Sequence, residues 1–478
     1  METAVKNCPV EEKKKQEQLF DDADDKKNVI NSLVNGSSSQ LSMMLSIPEK
    51  VAEQEVGPEW IEPIKVACRN TEKYECGHSI GGVYCNRLLT QSYVEKILDL
   101  KRLKNLHSLT LSSCTLNEIL QAISEKTTLT YLDLTNFRVM KNCSFNIGDV
   151  FNELVHLEHI SITINKLTLN VPNCILNTCK KIRYLELPLC HNRKQPHISI
   201  KNWENLKNLE HLDIRWKITD DIAIQLVKYC KKLKYLNITG MSVDNIAFQE
   251  LTKLENLECF KLGCISGFDD ETMIEISNNC KKLKIFKIHL PFSLVDPIQP
   301  PSSPSSVINC LSKLQYLEQL ILLGIDTNQF DEGSIIAIVN TCKTLTKLDI
   351  SWSWNITETT LIALTNFESL KELKVTGIDN VTDNVISKLK GLKCFDCSNC
   401  KNITDAGVIQ LINNCPDLEN LNLRRTHITS DTIIGASEAT KNRINNIILT
   451  IDVEWILRES FKSLNKSIWL ALAINKSS

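Results

Sequence analysis

The chain has 478 residues, 42% hydrophobic and 23% charged, which excludes a wholly disordered or collagen-like polypeptide. At about 150 residues per domain the length suits three domains, unless one repeat array fills it. Lysine plus arginine number 55 against 57 aspartate plus glutamate, so a net charge of −2 gives no general attraction to nucleic acid or an anionic membrane.

The first 60 residues hold 7 basic and 12 acidic side chains, with Lys13-Lys14-Lys15, Asp21-Asp22, Asp24-Asp25 and the run Gly36-Ser37-Ser38-Ser39. Without sustained periodicity, residues 1–60 are expected to be an acidic disordered tail. The N-terminus lacks the apolar core of a secretory signal. The closest approach to a membrane span, residues 468–474, falls far short of about 18 apolar residues. Nineteen cysteines spread along such a chain read as reduced thiols, and the expected location is cytoplasmic and/or nuclear. Over 61–100, Tyr93, Val94, Ile97, Leu98 and Leu100 form a helical stripe suited to an N-terminal cap.

From residue 101 to 456 one phrase recurs, L-x-x-L-x-L followed by a small residue. It reads LHSLTLSSC (106–114), LTYLDLTNF (129–137), IRYLELPLC (182–190), LEHLDIRWK (209–217), LTKLDISWS (345–353) and LENLNLRRT (418–426) among fourteen copies. The first and last copies start 338 residues apart, a mean period of 26. The last two apolar positions lie two apart and face one side of a short strand. Each strand leads to a polar turn and an amphipathic helix, as in Val408, Leu411, Ile412 and Cys415, or Met273, Ile276, Ser277 and Cys280. Thr404 or Asp405 is placed to cap the helix that follows. No unit can bury both faces alone, so the units stack as a curved α/β solenoid, parallel strands on the concave side and helices on the convex side. One unit is stretched to 34 residues by 291–306, whose five prolines should loop out of the array. Residues 457–478 are expected to cap the far end with Phe461, Leu464, Ile468, Trp469 and Leu472.

Cys179, Cys230, Cys280, Cys342 and Cys415 each precede the first leucine of a unit by three positions, and turns read Ile218-Thr219-Asp220, Ile356-Thr357-Glu358, Val381-Thr382-Asp383 and Ile403-Thr404-Asp405. Together these resemble the cysteine-containing leucine-rich repeat of the F-box/leucine-rich-repeat proteins. The resemblance implies a leucine-rich-repeat horseshoe. It also implies a substrate-recognition subunit of a Skp–cullin–F-box ubiquitin ligase, holding its target on the concave face for proteasomal degradation. An F-box would precede the repeats and bind a Skp-type adaptor and, through it, cullin. Ile47-Pro48-Glu49 and Val66-Ala67-Cys68-Arg69 are its best local match, but Pro58 and Pro63 interrupt the helix it needs. The segment is therefore read as a degenerate F-box or none. The alternative is an F-box-less repeat scaffold or regulator acting purely by protein binding.

No phosphate-binding loop, nucleophile elbow, dinucleotide fingerprint or zinc-protease motif occurs, so neither an enzymatic role nor a cofactor is expected. Cys394, Cys397 and Cys400 have cluster-like spacing, but alternation puts Cys394 on the opposite strand face from Cys397, and small buried cysteine is the better reading. Cys68, Cys76, His78 and Cys85 match no zinc finger, although a zinc-bound cap near Cys76 stays as a third reading. The Lys-Lys pairs at 180–181, 231–232 and 281–282 read as a solvated rim.

The outward strand positions are the candidate protein-binding site. Tyr131, His159, Tyr184, His211 and Tyr235 form one column, and Asp133, Ser161, Glu186, Asp213 and Asn237 the next. Arg215, Trp216, Trp352, Trp354 and Arg424 lie further along, and Tyr, Trp and Arg dominate interface hot spots.

Overall fold

The structure, a computed structural model, describes residues 73–76, 105–112, 123–137, 147–164, 171–187, 199–214, 218–238, 245–264, 270–289, 310–323, 332–353, 356–454 and 467–473. The expected tail over 1–60, the stripe over 93–100 and the insertion at 291–306 lie outside these residues. Two compact units divide the chain, Met1–Leu206 and Lys207–Ser478.

In the first unit, strands β1 (Lys73–Cys76), β2 (Ser108–Ser112), β3 (Tyr131–Phe137), β4 (His159–Ile164) and β5 (Tyr184–Leu187) pair in parallel and in chain order. β1 lies ahead of the first repeat phrase and has no leucine alternation to announce it. In the second unit the strands are β6 (His211–Ile214), β7 (Tyr235–Ile238), β8 (Cys259–Cys264), β9 (Ile285–His289), β10 (Gln319–Leu323) and β11 (Lys347–Asp349). They continue as β12 (Glu372–Lys374), β13 (Cys394–Asp396), β14 (Asn420–Asn422), β15 (Leu449–Asp452) and β16 (Leu470–Leu472), again parallel and in order. A helix or helical turn separates most consecutive strands, so each unit is an α/β leucine-rich-repeat solenoid.

Alternation builds the core. Leu185 and Leu187 are fully buried while Tyr184 and Glu186, which alternate with them, are half-buried, and β6 and β7 repeat the pattern. Each buried leucine contributes about 1.5–3 kcal/mol. The helix Asp405–Asn414 buries Val408, Leu411 and Ile412, and Asp270–Asn279 buries Met273 and Ile276, so both expected stripes face inward.

Cysteines join successive repeats. The Sγ of Cys179 donates to the Leu154 carbonyl (3.4 Å), Cys280 to Thr252 (3.3 Å), Cys342 to Leu314 (3.5 Å) and Cys400 to Val375 (3.2 Å), each in the preceding repeat. Burial pushes the thiols of Cys179, Cys230, Cys280 and Cys400 up to about 12. In the cysteine run, Cys397 and Cys400 are buried and Cys394 half-buried, and Cys397 and Cys400 donate to different carbonyls.

The Thr-Asp turn works differently from the expectation. Thr404 is the extended residue before its helix, yet its side chain accepts no capping hydrogen bond. Instead the Thr404 hydroxyl and N–H both donate to Asp383 of the preceding repeat. Thr429 N–H and hydroxyl donate likewise to Asp405 (2.8 and 2.7 Å), joined by the Thr432 hydroxyl, and Thr382 donates to Glu358 (2.7 Å). Whereas Asp220 Oδ1, in the turn at 218–220, is buried and accepts no hydrogen bond among the described residues, in these three turns the acid clamps the next repeat. Gly407 leaves room for this, since a Cβ there would collide with the Asp383 carboxyl. Helix capping survives at Thr357, which accepts from Thr360 N–H, and at Thr429, which accepts from Asp431 N–H.

After the strands, Trp352, Gly377, Asn399 and Arg425 all adopt positive φ (61°, 71°, 60° and 57°). Their amides form a ladder, Trp352 N–H to Thr376 O, Gly377 N–H to Ser398 O and Asn399 N–H to Arg424 O, at 2.8–2.9 Å. The Trp352 ring lies so close over Gly377 that a Cβ there would overlap it.

At the far end, Ile468 is 80% exposed, against its expected place in the cap, because Leu470 takes the buried strand position in register with Leu449. Phe461 and Leu464 lie outside the described residues.

Candidate protein-binding face

In the first unit the register aligns Tyr131 with His159 and His159 with Tyr184, and in the next column Asp133 with Ser161 and Ser161 with Glu186. Parallel strands lie roughly 4.8 Å apart, so aromatic rings at one register position are brought face to face. Tyr131 and His159 stack at 4.1 Å and 12°, and His159 and Tyr184 at 3.9 Å and 14°. Below them, Tyr184 Oη (3.0 Å) and Ser161 Oγ (3.1 Å) both donate to one oxygen of Glu186. Asp133 fares differently, because its Oδ1 is buried and accepts no hydrogen bond among the described residues. Burial first, and then the neighbouring Glu186 charge, hold the Asp133 carboxyl above its ordinary range. Burial between the two rings lowers the His159 pKa despite the opposing pull of Glu186, so this imidazole is neutral at pH 7.

The second unit carries the other two members of the aromatic column. His211 and Tyr235 stack at 3.8 Å and 12°, and Asn237 Nδ2 donates to Asp213 (2.8 Å). Lys261, from β8, sits over the Tyr235 ring at 5.0 Å from its centroid and donates to its hydroxyl (3.1 Å). Burial opposes the charge on Lys261, but that hydroxyl and the nearby Asp213 hold its pKa above the ordinary value.

The remaining expected residues are more scattered. Trp352 lies past β11 with its ring on Gly377, rather than in a strand column. Arg424 approaches Asp452 at 4.0 Å. Arg215, Trp216 and Trp354 lie outside the described residues.

The later outward positions, which the leucine phrase does not single out, carry polar pairs: Lys347 and Lys374 both pair with Glu372 (2.9 and 3.4 Å) and Asn422 donates to Asp396 (3.1 Å). A cleft of about 300 Å³ opens there, lined by Lys374, Cys394, Asp396, Asn422 and Asp452 among others. The signal was available, since these residues occupy the same two x positions as the aromatic and acidic columns. Of the lysine pairs, Lys232 donates to Asn208 (2.9 Å) and Lys282 to Asn256 (2.6 Å), and all six lysines are exposed.

Among the described residues no group of three His, Cys, Asp or Glu is placed to hold a metal ion, and no helix is long and apolar enough to cross a membrane. Of the four residues weighed for zinc, only Cys76, in β1, lies within the described residues.

No family model matches the chain. It is 26% identical over 272 residues to F-box/LRR-repeat protein 4 of Bos taurus, covering 56% of this chain and 37% of that protein. It is also 26% identical over 267 residues to Toll-like receptor 3 of Boselaphus tragocamelus, covering 49% of this chain and 25% of that one. The chain therefore matches well under half the length of either relative. Among solved structures, a chain of the yeast Rad7 and Elc1 complex resembles it with a TM-score of 0.45 and 15% identity, over 91% of this chain and 98% of that chain. By strand order, register and buried-leucine spacing the chain is a leucine-rich-repeat protein, similar in sequence to an F-box/LRR-repeat protein.

Proposed function

We propose that the chain recognises a protein on its strand face, as the substrate-recognition subunit of a Skp–cullin–F-box ubiquitin ligase, and catalyses nothing itself. One observation carries the recognition half: Tyr131, His159 and Tyr184 are stacked beside Asp133 and Glu186 on a rigid sheet. Rings held by backbone register lose little entropy on binding and offer both apolar area and hydrogen-bonding edges. The ligase half draws on the likeness to the F-box/LRR-repeat relative and on the cysteine-bearing repeat phrase.

The second reading, a repeat scaffold with no ligase, is favoured by Pro58 and Pro63 within the segment that an F-box would fold as helix. Affinity capture of the full chain from cell lysate, with mass spectrometry for Skp-type adaptor and cullin, separates the two. The ligase reading expects adaptor with the full chain and its loss on deleting residues 1–100. No adaptor, where a known F-box protein recovers it, leaves the scaffold.

A further inference from the structure

We propose that the Tyr131–His159–Tyr184 face of the first unit takes a cationic side chain of its protein partner, a lysine or arginine, against the stacked rings and the carboxylates of Asp133 and Glu186. This deepens the protein-recognition reading above and rests on it.

The first support is charge. The two outward columns of β2–β5 hold Asp133 and Glu186 and neither a lysine nor an arginine, with His159 neutral between its tyrosines. The second is the state of Asp133. Glu186 receives hydrogen bonds from Tyr184 and Ser161, whereas Asp133 Oδ1 is buried and receives none among the described residues. A cation held against the neighbouring rings stabilises that carboxylate's charge through space.

The third support is independent, because the second unit already contains such a complex within the chain. There Lys261 lies over the Tyr235 ring, bonds its hydroxyl and is drawn by Asp213, with Tyr235 stacked on His211. Lys261 comes from the strand that follows Tyr235, in the column next to it. In the first unit the corresponding position is Ser161 after Tyr131 and Glu186 after His159. The ring-and-carboxylate pattern is kept while Ser161 and Glu186 take the lysine's place, which leaves the cation's part to the partner. Guanidinium and ammonium groups are both attracted to aromatic rings and to carboxylates, and a ring beside a carboxylate rewards a charge that can meet both.

The test uses the full chain with isotope-labelled histidine and follows the imidazole signals of His159 and His211 by NMR. The probes are the heptapeptide acetyl-Gly-Ser-Gly-Arg-Gly-Ser-Gly-amide and the same peptide with citrulline for arginine, which keeps the shape and removes the charge. The arginine peptide is expected to shift the His159 signals saturably, with affinity about 10-fold or more above that of the citrulline peptide. Asp133→Asn and, separately, Glu186→Gln are expected to erase that preference, with the unfolding midpoint confirming that each variant folds. Equal response to both peptides, response at His211 alone, or a preference unchanged in both variants overturns the proposal. Adaptor capture is read separately. Capture without peptide discrimination discards the cation site and keeps the ligase reading, and the converse discards the ligase and keeps the site.

Discussion

Two regions use the same acidic side chains in opposite ways. Along the turns at 358–432, Glu358, Asp383 and Asp405 each accept hydrogen bonds from the next repeat, and the Asp405 carboxyl takes the N–H and hydroxyl of Thr429 and the hydroxyl of Thr432. On the strand face of the first unit, Asp133 presents a buried oxygen that nothing among the described residues satisfies. Carboxylates in the first setting hold repeats together, while the buried Asp133 Oδ1 ties nothing to a neighbouring repeat among the described residues. The difference follows from position. At 358–432 the turn acid meets a threonine one period later, whereas the strand acid meets whatever the next outward position carries.

The largest effect is expected where a neighbouring ring leaves no space for an added methyl group. Gly377→Ala adds a Cβ at positive φ and into the Trp352 ring, which should cost about 3 kcal/mol in urea unfolding. A loss under 1 kcal/mol would mean that this turn is far looser than its amide ladder implies. Asp405→Ala removes the acceptor of a three-donor clamp and should cost about 2 kcal/mol by the same measurement. Ser353 stands where Cys400 stands in a later unit, but its Oγ is buried without a partner among the described residues, so Ser353→Cys should stabilise by about 1 kcal/mol. Asp133→Asn should change stability by no more than about 0.5 kcal/mol at pH 7. A loss as large as that of Asp405→Ala would erase the contrast between the two regions.

Acid gives the same comparison a sign. Burial raises the Asp405 pKa, but the hydrogen bonds from Thr432 and Thr429 outweigh it and leave the carboxyl below its ordinary value. Its contribution is present above the unfolded pKa of about 3.9 and is lost as pH falls through the lower folded value. Asp133 is held above its ordinary value, so the folded chain binds a proton more readily there than the unfolded chain does. That contribution grows as pH falls from neutral toward about 4. Unfolding midpoints at pH 7, 4.5 and 3 should therefore show wild type gaining on Asp133→Asn between 7 and 4.5, and losing its advantage over Asp405→Asn between 4.5 and 3.

The fold was legible because its signal is local. Alternating Leu185 and Leu187 with Tyr184 and Glu186 specifies a half-buried strand, and Val408, Leu411 and Ile412 specify a helix face, without reference to any neighbour. The contacts that join repeats were harder, since Thr404 meets Asp383 and Thr429 meets Asp405 across 21 and 24 positions. Read within one turn, Thr404 looks like a cap for its own helix; read at the repeat period, it faces the acid of the turn before. The aromatic and acidic columns could be aligned from the phrase alone, but not the Asp133 Oδ1 without a donor among the described residues or Lys261 over Tyr235, which depend on side-chain placement.

The thiols set between successive repeats also make the chain a recorder of its own unravelling. A cysteine whose pKa stands near 12 is almost never thiolate at neutral pH and is sealed from reagent, so modification at Cys179, Cys230, Cys280 or Cys400 requires that repeat to part from its neighbour. Half-buried Cys394 needs no such separation and marks the starting time. Pulses of a thiol reagent, followed peptide by peptide, would time the parting of each repeat and reveal where fraying begins and how far it runs.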